Sequence, residues 1–190
     1  SLYTQPVKIK YSSIIATGLN HELGLNNKIP WKDSEDMLRF QTLTVGKVCI
    51  MGKKTYDALP VKPLKNRINI VFTTNQTLCE QSCEQSRIWN WKREDNIPFY
   101  VDSIRDARSI SEVLIEDYQM INEVMICGGK QIYDLFFNLT SRIYHAKIKS
   151  TMEADTFYNI DELTLNGWRT IVSQRRETHY FRILEKETTV

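Results

Sequence analysis

The chain has 190 residues, 42% of them apolar and 25% charged, and a formal net charge of +2. That length fits one domain with a substantial core, and the composition is ordinary for a globular protein. So small a charge gives no reason to expect nucleic acid or an anionic membrane surface as a partner. No run is long and apolar enough to span a bilayer, and residues 1–20 show no signal-peptide pattern, so a soluble cytoplasmic protein is expected.

Residues 7–16 begin with alternation and end in the apolar run Ile14-Ile15-Ala16, the pattern of a buried central strand. Gly24, Asn26, Asn27 and Pro30 then mark a loop. Pro30 biases Ile29 away from helical dihedrals, so the next helix starts after it. Asp33 or Ser34 can cap that helix, whose apolar positions are Met37, Phe40 and Leu43. Asp36 lies four residues before Phe40 and seven before Leu43, on the same face. Two readings fit it. One is a capping box, Asp33-x-x-Asp36, in a first turn that favours negative charge. The other is a partly buried carboxylate facing a pocket, paired with a cationic or amidine-like ligand group, with Trp31 as a wall.

Residues 48–51 form a second apolar strand, and Gly52-Lys53-Lys54-Thr55 opens a short helix that stops before Pro60. Lysines at a helix N-terminus oppose the macrodipole. Either they are solvated surface charges, or Lys53, Lys54, Thr55 and the helix N–H groups face a phosphate. Residues 67–73 are a third strand, ending in Thr73-Thr74-Asn75. Residues 76–98 show no period and are expected to form a long polar excursion, with Trp89 and Trp91 folding back on the body.

After a strand at 99–101, Ser103 starts a helix with apolar positions Ile104, Ala107, Ile110, Val113 and Leu114. Residues 124–127 form an apolar strand that runs through Gly128-Gly129 into a helix over 130–137. A strand–Gly-Gly–helix turn brings backbone close to a ligand, but it is not the G-x-G-x-x-G dinucleotide fingerprint. Residues 141–149 alternate as a strand, 155–157 lie in a loop, and 168–176 with 178–187 make an antiparallel hairpin. Cys49 and Cys127 read as small core hydrophobes. Cys79-x-x-x-Cys83 lacks a second ligand pair, so no metal site is expected.

Strand–helix alternation followed by a hairpin predicts an α/β fold. We expect a single domain over 1–190 with a mixed, mostly parallel sheet of about eight strands. Helices cover both faces, and the C-terminal hairpin is antiparallel. Ligands in such sheets sit at the carboxyl ends of the strands. Ala16, Gly52-Lys53-Lys54, Thr73-Thr74 and Gly128-Gly129 all fall there.

The ordered set of motifs resembles the dihydrofolate reductase family. It comprises Ile14-Ile15-Ala16, Leu23-Gly24 through Asn27-Lys28-Ile29-Pro30-Trp31 with Asp36 and Phe40, Ile50-Met51-Gly52-x-x-Thr55, and Arg67 with Thr73-Thr74. Gly128-Gly129-x-x-Ile132-Tyr133, Asp155-Thr156-Phe157-Tyr158 and Tyr180-Phe181-x-Ile183-Leu184 extend it to nearly the whole chain. Each motif alone is weak, and their order and spacing carry the likeness.

The resemblance implies hydride transfer from NADPH to 7,8-dihydrofolate, giving the tetrahydrofolate used in one-carbon metabolism and thymidylate synthesis. It implies that Asp36 is the acidic side chain of the pterin pocket, holding the 2-amino group and N3 and favouring protonation at N5. Trp31 is its catalytic companion, and Trp31 with residues 24–30 makes the mobile loop that closes on the nicotinamide. Ile14, Met37, Phe40 and Cys127 line the substrate pocket, and Arg67 binds the glutamate α-carboxylate. The backbone of Ala16 meets the nicotinamide carboxamide. Thr55, Gly128 and Gly129 approach the pyrophosphate, with a cis peptide at the Gly-Gly pair. Lys53, Lys54 and Thr74 take phosphates, including the 2′-phosphate. Leu23, Gly24, Gly52, Thr73, Lys130, Gln131, Ile132 and Tyr133 are further cofactor-binding residues that the likeness implies. Diaminopyrimidine and pteridine antifolates are the competing ligands the likeness implies, and a monomer is expected.

Two departures stand out. Lys130 follows the glycines where a small residue is frequent, and Ala146 stands where the family usually has Thr beside the acid. The competing expectations are a same-fold reductase of another pterin-like or pyrimidine ring, and a folate- or dinucleotide-binding protein without catalysis. Asp36 together with Arg67 argues against the first, and Asp36 with Trp31 against the second.

Overall fold

Strands β3 (Val48–Gly52), β4 (Ile68–Phe72) and β6 (Glu123–Ile126) are apolar at nearly every position. Such runs have no solvated face, which suits parallel strands covered on both sides. The computed structural model describes residues 8–25, 33–83, 88, 91–92 and 96–188. Trp31, the rest of its loop from Asn26 to Lys32, and Trp89 lie outside the described residues.

The remaining strands are β1 (Lys10–Thr17), β2 (Glu22–Gly24), β5 (Phe99–Val101), β7 (Thr140–Ile148), β8 (Thr156–Phe157), β9 (Trp168–Arg175) and β10 (His179–Lys186). Eight of them form one sheet in the order β5-β4-β3-β6-β1-β7-β10-β9. Every pairing from β5 to β7 is parallel, and β10 runs antiparallel to both β7 and β9. This is the mixed sheet with an antiparallel C-terminal hairpin that the sequence predicts. β2 and β8 form a separate two-stranded ladder.

The helices are α1 (Ser34–Thr44), α2 (Lys53–Asp57), α3 (Gln76–Cys83), α4 (Ile104–Tyr118), α5 (Lys130–Phe136) and α6 (Ile160–Leu163). Strand alternation divides the core in two. Val48, Ile50, Ile68, Ile70, Val124 and Ile126 pack with Leu114 of α4 and Ile132 and Phe136 of α5. Cys49, Met51, Val71, Met125, Tyr144 and Phe181 face the other way, against Phe40 and Leu43 of α1 and Tyr56 of α2.

Four local expectations are corrected. The excursion after β4 contains a helix, α3, in which only Cys79 and Ser82 are buried, so no apolar period announced it. Its Trp91 does fold back, 3% exposed and edge-on to Tyr118 at 4.9 Å between ring centres. Thr156 and Phe157, expected in a loop, pair with β2. In α4 the buried stripe is Ala107, Ile110, Ser111, Leu114 and Ile115, and Val113 is exposed, a third of a turn off that stripe. In α1 only Thr44 is fully buried, while Met37 is 55% exposed.

The turn before β4 is held by two buried amides, Asn69 and Asn96, both of which donate to the Leu64 carbonyl. Asn69 Oδ1 accepts from the Leu64 N–H at 2.9 Å, and Asn69 Nδ2 donates to the Leu64 carbonyl at 2.9 Å. Asn69→Ala orphans the buried Leu64 N–H, so urea unfolding should show a loss of about 2–3 kcal/mol. A loss below about 0.5 kcal/mol, typical of an exposed site, would show that this amide does not hold the turn.

Candidate active site

The sheet's carboxyl edge gathers most of the residues singled out by sequence. Ala16 lies near the end of β1, Gly52 ends β3, Thr73 follows β4 and Cys127 follows β6. The Gly52 N–H donates to the Gly128 carbonyl at 2.8 Å, and the Cys127 N–H donates to the Ile50 carbonyl at 2.8 Å. These bonds carry the parallel pairing of β3 and β6 past the strand ends and seat the two glycines beside Gly52.

The Gly128–Gly129 peptide is cis, as expected. Gly128 has φ +109°, which favours glycine, and a Cβ there would lie 3.0 Å from the Tyr133 hydroxyl oxygen. That hydroxyl donates to the Ile14 carbonyl at 2.8 Å, so α5 is clasped to β1. A Cβ on Gly129 would meet Thr55 Oγ1 at 3.6 Å, and one on Gly52 would meet Ile132 at 3.4 Å. Gly52, Thr55, Gly128, Gly129, Ile132 and Tyr133 therefore form one cradle, with Gly52, Thr55 and Gly129 partly exposed and Gly128, Ile132 and Tyr133 buried. Lys130 and Gln131 are exposed beside it. Thr73 turns its hydroxyl to the Asn75 N–H at 3.2 Å, and Thr74 is exposed.

The two lysines of α2 differ. Lys53 Nζ lies 2.6 and 2.8 Å from the Asp57 carboxylate oxygens, one helical turn on. Lys54 is exposed and makes no ion pair among the described residues. Sequence treated the two as equals, and the structure does not.

Both readings of Asp36 prove partly right. Asp33 caps α1, accepting from the Asp36 N–H at 2.9 Å. The Asp36 carboxylate itself is only 23% exposed and lies 3.6 Å from Arg39 Nη1, one turn on. Burial pushes its pKa up to about 6, the Arg39 charge opposes that rise, and the Asp33 charge adds to it. Ile14, Phe40 and Cys127 all pack against the core cluster on the α1 side of the sheet.

Arg67 stands at the other end of α1. Its Nε donates to the Lys65 carbonyl and its Nη1 to Thr44 Oγ1, each at 2.9 Å. Two of its five donors are spent holding the guanidinium in place, and three have no partner among the described residues. Eight residues of helix separate Asp36 from Thr44, a rise of about 12 Å.

Ala146 pairs with Ala16 on β1 and Phe181 on β10, and is 3% exposed. It faces the α1 side with Tyr144 and Phe181. Its neighbour His145 points to the opposite face, where it meets Thr17 Oγ1 at 2.7 Å and accepts from Arg182 Nε at 3.0 Å. Burial pushes the His145 pKa down to about 3, so it is neutral.

Glu22 was not singled out by sequence. Its carboxylate is 2% exposed and accepts from the backbone N–H groups of Asn20 and Met152, pinning the segment after β1 to the loop before β8. A Cβ on Gly18 would meet it at 2.8 Å. The signal was a lone acid between two loop glycines. Leu23 packs against the larger core cluster, and Gly24 pairs with Thr156.

In architecture the structure is of the dihydrofolate reductase type. It superposes on the dihydrofolate reductase from Enterococcus faecalis complexed with NADP(H) and RAB-propyl with a TM-score of 0.69 at 19% identity, covering 94% of this chain and 97% of that one. The sequence pattern described as Dihydrofolate reductase matches residues 10–184, and the chain belongs to that family. Dihydrofolate reductase type 8 from Escherichia coli is 29% identical over 182 residues, covering 95% of this chain and 99% of that protein. The bifunctional dihydrofolate reductase-thymidylate synthase of Paramecium tetraurelia is 29% identical over 151 residues, 78% of this chain, which spans only 28% of that longer protein.

The raised pKa of Asp36 carries a stability cost. Its value is about 6 in the folded chain against 3.8 ordinarily, so the folded state binds the extra proton between those values. Above pH 6 the fold must hold a charge that the unfolded chain solvates better. Asp36→Asn should therefore be more stable than the wild type at pH 8 by about 1–3 kcal/mol, and the gain should shrink as pH falls toward 4. Urea unfolding of both chains at pH 4.5 and pH 8 checks this. A gain independent of pH, or a loss at pH 8, contradicts the assignment.

Proposed function

We propose that this protein reduces 7,8-dihydrofolate to 5,6,7,8-tetrahydrofolate with NADPH. The reaction consumes one NADPH and one proton, delivering a hydride to C6 and the proton to N5 of the pterin. The observation that carries this reading is a single helix with a half-buried carboxylate at one end and a buried, partly unused arginine at the other. Asp36 binds the 2-amino group and N3 of the pterin, and its negative charge favours a proton on N5. Ile14, Phe40 and Cys127 form an apolar wall for the ring, and Met37, largely exposed on α1, is available to cover it. The three free N–H donors of Arg67 suit a carboxylate, which a planar fork binds in two prongs. The rise between the two ends fits an aminobenzoyl spacer between pterin and glutamate. A same-fold reductase of a ring without a glutamate tail has no use for Arg67 in that position.

The glycine cradle fits the cofactor. Gly128 stands where a Cβ would crowd the Tyr133 hydroxyl, and Gly52 and Gly129 keep the turn slim beside Ile132 and Thr55. Bound there, NADPH supplies the hydride. Ala16 presents backbone to the carboxamide, Gly128 and Gly129 approach the pyrophosphate, and Lys54 with Thr74 meets the 2′-phosphate. Diaminopyrimidine antifolates fit the same pocket because they offer Asp36 an amidine-like edge.

Asp36→Asn should retain its fold and lose turnover near neutral pH by at least about a hundredfold. Dihydrofolate-dependent NADPH oxidation measures this, and a folded variant with wild-type kcat sinks the assignment. The cofactor proposal makes a second expectation. Lys54→Gln should raise the KM for NADPH several-fold, leave that for NADH nearly unchanged, and lose its effect in high salt. Lys53→Gln should do much less, since Asp57 already holds Lys53. Equal effects of the two substitutions contradict the division of labour.

A further inference from the structure

The Asp36 carboxylate is largely buried, so its charge depends on what stands around it. The charged and titratable groups around Asp36, its cap and Arg39 can be named element by element. From the start of α1 come Asp33 and Glu35, and one turn on comes Arg39. From β10 comes His179, fully buried, with Nδ1 3.6 Å from Asp33 Oδ2. Arg176 comes from the turn before β10, and Tyr133 from α5. Glu35 is drawn away, with Arg176 Nε 2.5 Å from its Oε1. Burial and the neighbouring arginines hold His179 neutral against the pull of Asp33 and Glu35. Arg39 is left as the cation beside Asp36.

Arg39 is also fixed in place. Its guanidinium carbon sits 4.1 Å from the centre of the Phe181 ring, a cation–π contact that holds the plane against β10. Its Nη2 reaches Glu35 at 3.8 Å. Its Nη1 is buried, has no hydrogen-bond partner among the described residues, and lies 3.6 Å from Asp36 Oδ1. That separation is too long for a hydrogen bond, so Arg39 acts on Asp36 through charge.

We propose that Arg39 is a positioning residue that holds the Asp36 carboxylate ionised and so sets the pH range of the reaction, with Asp33 as its opponent from the cap. This rests on the reductase reading above and extends it to a residue that touches neither substrate nor cofactor. Arg39 and Asp33 stand on either side of Asp36 with opposite charge, so neutralising them must move Asp36 in opposite directions.

Three variants of the full chain test this: Arg39→Gln, Arg39→Lys and Asp33→Asn. Asn caps a helix as well as Asp, so the last removes charge and spares the cap. Two quantities are read. One is the titration of the Asp36 carboxyl carbon by NMR in the protein alone. The other is the pH on the acid side at which kcat/KM for dihydrofolate falls to half, since the ionised carboxylate that holds the 2-amino group and N3 is lost as pH falls. Arg39→Gln should raise both by about one unit, as loss of a neighbouring opposite charge does. Arg39→Lys should return both most of the way, and Asp33→Asn should lower both. An unmoved Asp36 titration in Arg39→Gln overturns the proposal, as does a moved titration with an unmoved rate profile. If Arg39→Gln fails to fold, the direction of the Asp33→Asn shift decides. Loss of the reductase reading shows separately, as a wild type with no dihydrofolate-dependent turnover.

Discussion

A carboxylate held largely out of water at the first turn of α1 is the constraint around which the rest of the site is arranged. Desolvation disfavours its charge, and among the described residues the fold answers with one cation a helical turn away. The result is a carboxyl group with a pKa of about 6, in the range suited to the role proposed for it. The same desolvation taxes stability above that pH. Function and stability are in direct opposition at this one side chain.

The helix bearing it serves as a spacer. Its N-terminal end presents Asp36, and its C-terminal Thr44 orients Arg67 at the start of β4. The arginine's turn is pinned in its own right by the Asn69 amide. Across the sheet, Tyr133 ties α5 to the carbonyl of Ile14, and the Gly52–Gly128 bond ties β3 to the glycine turn. The α1 face and the glycine turn thus share β1 as a common wall, and with it the proposed pterin and nucleotide sites. Ile14 serves both, with its side chain in the α1-side core and its carbonyl bonded to Tyr133.

What the sequence displayed follows from how each feature is held. Buried parallel strands must be apolar throughout, so β3, β4 and β6 were plain, and with them the glycines and Ala16 at their carboxyl ends. The Ala146 register was legible because strand alternation sends His145 to the opposite face. α3 and β8 were hidden for the same reason reversed. α3 buries only a cysteine and a serine, and β8 is two residues held by backbone pairing, so neither imposes an apolar period. The exposure of Met37 on an apparent apolar stripe reflects tertiary placement of α1, which spacing alone does not give. Arg39 and the Lys53–Asp57 pair stood at helical ion-pair spacing and were readable, yet which spaced charges meet depends on side-chain competition from Arg176, Phe181 and Glu35. Glu22 acts through the backbone N–H groups of Asn20 and Met152, so its sequence mark is only an acid between loop glycines.

The account's central claim is that this one site, with Asp36 as its acid, reduces dihydrofolate. The most direct measurement is the absorbance of NADPH over time with the purified chain, with and without 7,8-dihydrofolate, across a range of pH. Oxidation should depend on dihydrofolate, yield tetrahydrofolate in equal amount, and fall off as pH drops below the titration of Asp36. NADPH oxidation that is absent, or indifferent to dihydrofolate, would contradict it.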